Sequence, residues 1–67
     1  MKKRSVRIAR HNTSISLEAE FWIELKRIAK DEKLSLNQLV AKIDKGRAGN
    51  LSSALRLYVL RELKQSQ

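Results

Sequence analysis

The sequence predicts a mainly helical fold that opens with one short β-strand. Proline is absent, and glycine occurs only at Gly46 and Gly49, so the chain has few helix breakers. Polar and apolar side chains alternate over residues 12–17, which is typical of a half-buried strand. Three later segments carry apolar residues at spacings of three and four, the period of an amphipathic helix.

The strand is expected in the stretch NTSISL, residues 12–17. Ile15 and Leu17 would face the core there, while the small polar residues between them face outward. A basic N-terminal arm, residues 1–11, is expected before a single domain over residues 12–67.

The parity of the apolar residues changes before this strand. Val6 and Ile8 occupy even positions, whereas Ile15 and Leu17 occupy odd ones. One continuous strand would turn the two pairs to opposite faces, so we expect a bulge or turn near residues 9–11.

Three helices are predicted after the strand. Ser35 is a good N-cap for the second helix, and Asn50 or Ser52 can cap the third, with the glycine-containing stretch KGRAGN as the loop between them. The apolar spacing places the helices at about residues 18–33, 36–45 and 51–64.

Both chain length and the lone strand favour a homodimer. A chain of 67 residues has a small core, and with no cysteine and one histidine, His11, it has no disulfide or metal site to supplement it. Two copies of the strand pairing antiparallel would satisfy their free backbone groups. Apolar residues spread around the third helix, at Leu57, Leu60 and Leu63, also call for neighbours from a second chain. The predicted dimer core consists of Ile15, Leu17, Phe21, Trp22, Leu39, Val40, Ile43, Leu55 and Tyr58.

The net charge of +8 favours an anionic partner, either nucleic acid or an acidic membrane surface. Five basic residues and no acidic one fall in the first ten positions. A membrane role is the weaker alternative, because this segment has no broad apolar helical face. No apolar run approaches the length of a membrane span or signal peptide, so a cytoplasmic protein located at the nucleoid is expected.

The order NTSISL, EAEFW and LSLNQLV resembles the ribbon-helix-helix DNA-binding superfamily, which includes the Arc, MetJ and CopG repressors. The longer pattern KRSVRIARHNTSISLEAEFW with GNLSSALRLYVL is similar to a bacterial subgroup of short ribbon-helix-helix proteins with an added third helix. The resemblance implies an intertwined homodimer whose two-stranded antiparallel ribbon enters the major groove of DNA.

By this resemblance, Asn12, Ser14 and Ser16 read base edges. Their amide and hydroxyl groups suit that task. The alternative is that they only form the solvent-exposed face of a strand, with Ser16 also capping the first helix. The resemblance also implies phosphate contacts at the start of the second helix, where backbone N–H groups attract anions. Basic residues of the arm are expected to contact the DNA backbone, with Arg7 and Arg10 acting either as clamps or as a minor-groove arm. The expected phosphate contacts are Lys3, Arg4, Arg7, Arg10, Ser35, Leu36 and Asn37.

The leading hypothesis is therefore sequence-specific binding of double-stranded DNA by a homodimer, as a transcriptional repressor or autoregulator, with higher-order association on DNA left open. The alternative is a protein interaction module whose ribbon recruits a partner and binds DNA weakly or not at all. No catalytic set, cofactor motif, metal cluster or ligand pocket is legible, so an enzyme is not expected. Phe21, Trp22 and Tyr58 are expected to pack in the core rather than stack on bases.

Overall fold

The computed structural model describes residues 1–8, 10–46 and 49–65. Two strands come first, β1 (Lys2–Ile8) and β2 (His11–Leu17). Three helices follow, α1 (Ala19–Asp31), α2 (Leu36–Gly46) and α3 (Leu51–Gln65). A ribbon followed by helices confirms the predicted mainly helical class.

The ribbon forms within one chain. β1 and β2 pair antiparallel, from Lys2 opposite Leu17 to Ile8 opposite His11, as a two-stranded sheet. The expectation of a single strand that lacks a partner in its own chain was therefore wrong. The basic segment before the turn reaches back along β2, and closing so short a loop costs little chain entropy.

The change of apolar parity is a consequence of this hairpin. A hairpin closed by two residues joins even positions to odd ones, and Val6 accordingly lies opposite Thr13 on the face that carries Ile15 and Leu17. The predicted register break is confirmed as a turn between Ile8 and His11. Arg10 in the turn has a φ of 73°, and Ala9 lies outside the described residues.

The first helix is shorter than predicted at both ends. Glu18 is its N-cap, without a side-chain capping bond, so Ser16 does not cap it. At the other end, the Lys33 N–H donates to the Lys30 carbonyl at 3.1 Å, and the Leu34 N–H donates to the Ala29 carbonyl at 2.8 Å. These bonds form a Schellman motif, with Lys33 in the left-handed conformation at a φ of 60°.

The other two helices begin where their capping residues predict. The Ser35 hydroxyl accepts from the Gln38 N–H at 3.1 Å, while the Gln38 side-chain oxygen accepts from the Ser35 N–H at 2.8 Å. This pair is a complete capping box. Asn50, rather than Ser52, caps α3 by accepting from the Ser53 N–H at 3.3 Å. Part of the predicted loop between the helices, residues 47–48, lies outside the described residues.

The core sits between the ribbon and the helices. Among the residues predicted to form a dimer core, Phe21 and Tyr58 are half-buried, and the others are buried within a single chain. Their burial therefore does not depend on a second copy. Among the residues that the structure describes, the buried core consists of Val6, Ile15, Leu17, Trp22, Leu25, Ile28, Ala29, Leu39, Val40, Ile43, Leu55 and Val59.

A carboxylate at the end of α1 ties the helices together. Glu32 accepts from the Lys42 ammonium on α2 at 2.6 Å and from the Tyr58 hydroxyl on α3 at 2.7 Å. These two contacts, that of Lys42 first, hold the pKa of Glu32 below its usual range. Burial and the neighbouring Glu32 carboxylate raise the pKa of Tyr58, so the hydroxyl remains the proton donor.

Candidate nucleic-acid interface

The outward face of the ribbon carries only polar and basic side chains. In the hairpin register, Lys3 lies opposite Ser16, Ser5 opposite Ser14, and Arg7 opposite Asn12. Paired residues of an antiparallel ladder share a face, and all six of these residues are exposed. The three predicted base-reading residues thus lie in one row on β2, beside a row from β1 that contains two cations.

The inward face of the same hairpin packs on the helices. Val6, Ile15 and Leu17 are buried on it. Because side chains alternate along each strand, the ribbon has an apolar face that packs on the core and a solvent-exposed face that can contact another molecule.

Trp22 on α1 fixes the beginning of β1. Its indole Nε1–H donates to the Lys2 carbonyl at 2.9 Å, and its ring is buried. The Arg4 guanidinium lies over that ring, 5.8 Å from the centroid. A buried aromatic ring with one hydrogen bond and one cation contact positions β1 more firmly than strand pairing alone.

The predicted phosphate-binding residues do not all share this surface. Lys3 and Arg7 lie on the outward face, but Arg4 lies on the inward one, against Trp22. Arg10 is exposed in the turn at the end of the hairpin.

The start of α2 is a second, separate location. The capping box uses the N–H groups of Ser35 and Gln38, and within the described part of the chain those of Leu36 and Asn37 have no hydrogen-bond partner. No described hydrogen bond or ion pair joins this helix start to the ribbon. Further along α2, Lys42 forms an ion pair with Glu32 at 2.6 Å.

A cluster of cations lies beside β1. One open cavity between β1 and α1 is lined by Lys2, Lys3, Arg4 and Lys26, and by none of the acidic residues that the structure describes. The N-terminal strand therefore carries positive charge on its flank as well as on its outward face.

A family model described as a ribbon-helix-helix domain matches residues 1–63 of this chain. The chain belongs to the ribbon-helix-helix family. Proteins of this family generally bind DNA as dimers, and their fold is a DNA-binding and regulatory one rather than a catalytic one.

A solved structure has the same ribbon-helix-helix architecture. It is that of an uncharacterized protein from Bordetella pertussis Tohama I, with a TM-score of 0.79 and 32% sequence identity over 92% of this chain. The present chain spans about half of that protein, 54% of its length. No curated protein matches the chain.

Membrane-spanning helices and metal-binding clusters are both absent from the described part of this ribbon-helix-helix chain. Within residues 1–8, 10–46 and 49–65, no helix combines the length and apolar character needed to cross a membrane. The same residues contain no group of histidine or acidic side chains arranged to hold a metal ion.

Sequence reasoning missed the strand in the basic segment and, with it, Ser5 on the outward face and the positioning role of Trp22. The parity change between Val6 and Ile15 was an available signal, because a two-residue hairpin produces it directly. It was ambiguous in the sequence, since a bulge in one continuous strand predicts the same change.

Proposed function

We propose that this chain binds double-stranded DNA with sequence preference, as a homodimer, through the outward face of its ribbon. The observation that supports this most directly is the composition of that face. It presents Asn12, Ser14 and Ser16 beside Lys3 and Arg7, with no acidic or apolar side chain among them. Amide and hydroxyl groups can hydrogen-bond base edges in the major groove, while cations supply sequence-independent affinity for phosphate.

The proposed homodimer is supported by apolar surface that one chain leaves uncovered. Leu57 and Leu60 on α3 are 49% and 47% exposed. Exposed leucines on one helix favour association. Since two-fold dimers bind inverted repeats, we expect two short inverted half-sites, as at an operator bound by a repressor or autoregulator.

Selection from a random DNA pool followed by mobility shift tests this function. We expect an inverted-repeat consensus, with affinity that falls as salt rises by about 0.9 log units per log unit of salt for each phosphate contacted. The absence of any retained sequence preference near physiological salt would refute the proposal.

Variants of the outward face identify its reading residues. Asn12→Ala should change the preferred base at one position of each half-site, with a loss of about 1–3 kcal/mol for the original site. Glu20→Ala, an exposed change on α1, is the control and should leave the preferred bases unchanged.

The second candidate function is recruitment of another protein through the ribbon. The same exposed polar face motivates it, since such a face can contact protein as well as DNA. This alternative gains support if Asn12→Ala and Ser14→Ala together leave DNA affinity unchanged but abolish binding to a protein partner.

A further inference from the structure

The hairpin leaves one edge of β2 without a strand, and the register determines which backbone groups lie there. Ile8 and His11 flank a two-residue turn, so they form the hydrogen-bonded pair that closes it. Such pairs alternate along an antiparallel ladder, so the odd residues of β2 direct their backbone groups toward β1. The backbone groups of Asn12, Ser14 and Ser16 therefore point to the opposite edge, where the described chain has no strand.

This open edge is complementary to a second copy of itself. Ser14 is the central residue of the seven in β2. A two-fold axis at Ser14 places Asn12 opposite Ser16 of the other copy, so the edge groups of both strands are paired over their full length.

The resemblance to the ribbon-helix-helix family implies that two copies of β2 form the ribbon in the major groove. We infer that the hairpin widens this ribbon into a four-stranded sheet in the order β1-β2-β2-β1, with the two copies of β1 over the phosphate rims of the groove. This inference rests on the proposed function and assigns different roles to the two strands. β2 reads bases, whereas β1 supplies cations to the DNA backbone.

The width of such a sheet sets this division of roles. Adjacent strands lie about 4.8 Å apart, so the two central strands fit within a groove about 12 Å wide. The outer strands lie about 14 Å apart, which carries them beyond the groove and over the phosphates that line it.

The charge distribution agrees with this geometry. Lys3 and Arg7 are on β1, and Lys2 and Lys26 line the cavity at its flank. On the outward face of β2, by contrast, the side chains are the uncharged Asn12, Ser14 and Ser16. Cations therefore lie where the sheet meets phosphate, and neutral hydrogen-bonding groups lie where it meets bases.

The bond from Trp22 to the Lys2 carbonyl makes Trp22 a positioning residue for the outer strand.

Single-cysteine variants test the strand order without DNA, because the chain has no cysteine of its own. Ser14→Cys and Ser5→Cys are matched, since both residues are exposed and they face each other in the hairpin. With a two-fold axis at Ser14, the two Ser14 Cα atoms lie about 5.5 Å apart, a distance that a disulfide spans. The two copies of Ser5 lie about 14 Å apart, which is too far.

On mild oxidation we therefore expect Ser14→Cys to form a covalent dimer on a non-reducing gel, and Ser5→Cys to remain uncrosslinked. Circular dichroism checks that both variants keep the fold. Equal crosslinking of the two variants, or none for Ser14→Cys, would overturn the strand order.

The role of β1 is tested by the salt dependence of DNA binding. Arg7→Gln should reduce the magnitude of the log-log salt slope by about 2, one phosphate for each copy of the chain, without changing the preferred bases. Lys64→Gln, which removes the same charge from α3, is the control and should leave the slope unchanged. A changed base preference in Arg7→Gln would place β1 inside the groove and refute the inference. If the wild type has no DNA preference, the proposed function fails, while the cysteine result still decides the strand order.

Discussion

Removing the Tyr58 hydroxyl tests how much the hydrogen bond to Glu32 contributes to holding α3 against α1. That hydroxyl donates to Glu32 Oε2 at 2.7 Å, while the Lys42 ammonium donates to Glu32 Oε1 at 2.6 Å. Tyr58→Phe keeps the ring that packs on the core and removes the hydroxyl that joins α3 to the end of α1. The variant therefore breaks the connection of α3 to a network that spans three helices.

Tyr58→Phe should lower the free energy of unfolding by about 1–2 kcal/mol. A hydrogen bond to a charged group contributes about 1.5–3 kcal/mol. We reduce that range because the Glu32 side chain is 27% exposed and partly solvated. For a domain of this size, the loss corresponds to a Tm lower by roughly 4–16 °C.

The effect should depend on pH in a defined direction. Glu32 has a folded-state pKa below its ordinary value of 4.5, with the Lys42 contact as the main cause and the Tyr58 bond as the second. A lowered carboxylate pKa stabilises the fold above 4.5, and that stabilisation is lost as pH falls through the folded-state value. The difference between wild type and Tyr58→Phe should be complete at pH 7 and smaller at pH 3.

Urea unfolding followed by the fluorescence of Trp22, the only tryptophan, measures this difference. Protein concentration must be held constant, because association would shift the midpoint. Tyr58→Phe in a Glu32→Gln background completes a double-mutant cycle and should cost much less than it does alone. A full-sized cost in that background, or an equal cost at pH 3 and pH 7, would refute this account of the network.

Three further changes follow from individual positions. Leu25→Ala should lower stability by about 2–5 kcal/mol in urea titrations, because Leu25 is fully buried. In the same assay, Ser35→Ala should lower the free energy of unfolding by about 1 kcal/mol, because it removes the bond from the Gln38 N–H. A loss of less than a few tenths of a kcal/mol would contradict the capping role. Lys33→Gly should raise the Tm, because glycine adopts the left-handed φ of 60° without strain. Lys30→Gly, inside α1, should lower the Tm through a loss of about 1 kcal/mol in stability. A lower Tm for both variants would show that no strain is relieved at Lys33.

Local signals predicted the helices well. α2 was expected at residues 36–45 and spans Leu36–Gly46, and α3 was expected at 51–64 and spans Leu51–Gln65. Capping bonds and apolar spacing are properties of neighbouring residues, so they are legible in one sequence. The end of α1 was less legible, because a lysine rather than a glycine occupies the left-handed position after it.

The candidate interface was predicted in part. Alternation along residues 12–17 was sufficient to turn Asn12, Ser14 and Ser16 outward, and the structure has these residues exposed in β2. Arg4 was grouped with the other basic residues, although strand alternation turns it to the inward face beside Trp22. Its direction depends on the strand in which it lies, and charge alone did not reveal that strand.

By itself, therefore, the sequence determined the family, the helices, the basic N-terminal region and the polar face of β2. Only the tertiary structure decided that β1 pairs with β2, so that Lys3 and Arg7 share a face with Asn12. Strand pairing depends on which segment reaches an open edge, and the turn after Ile8 lacks the glycine or asparagine that marks most two-residue hairpins. The pairing partner of a strand is a non-local property, whereas alternation is a local one.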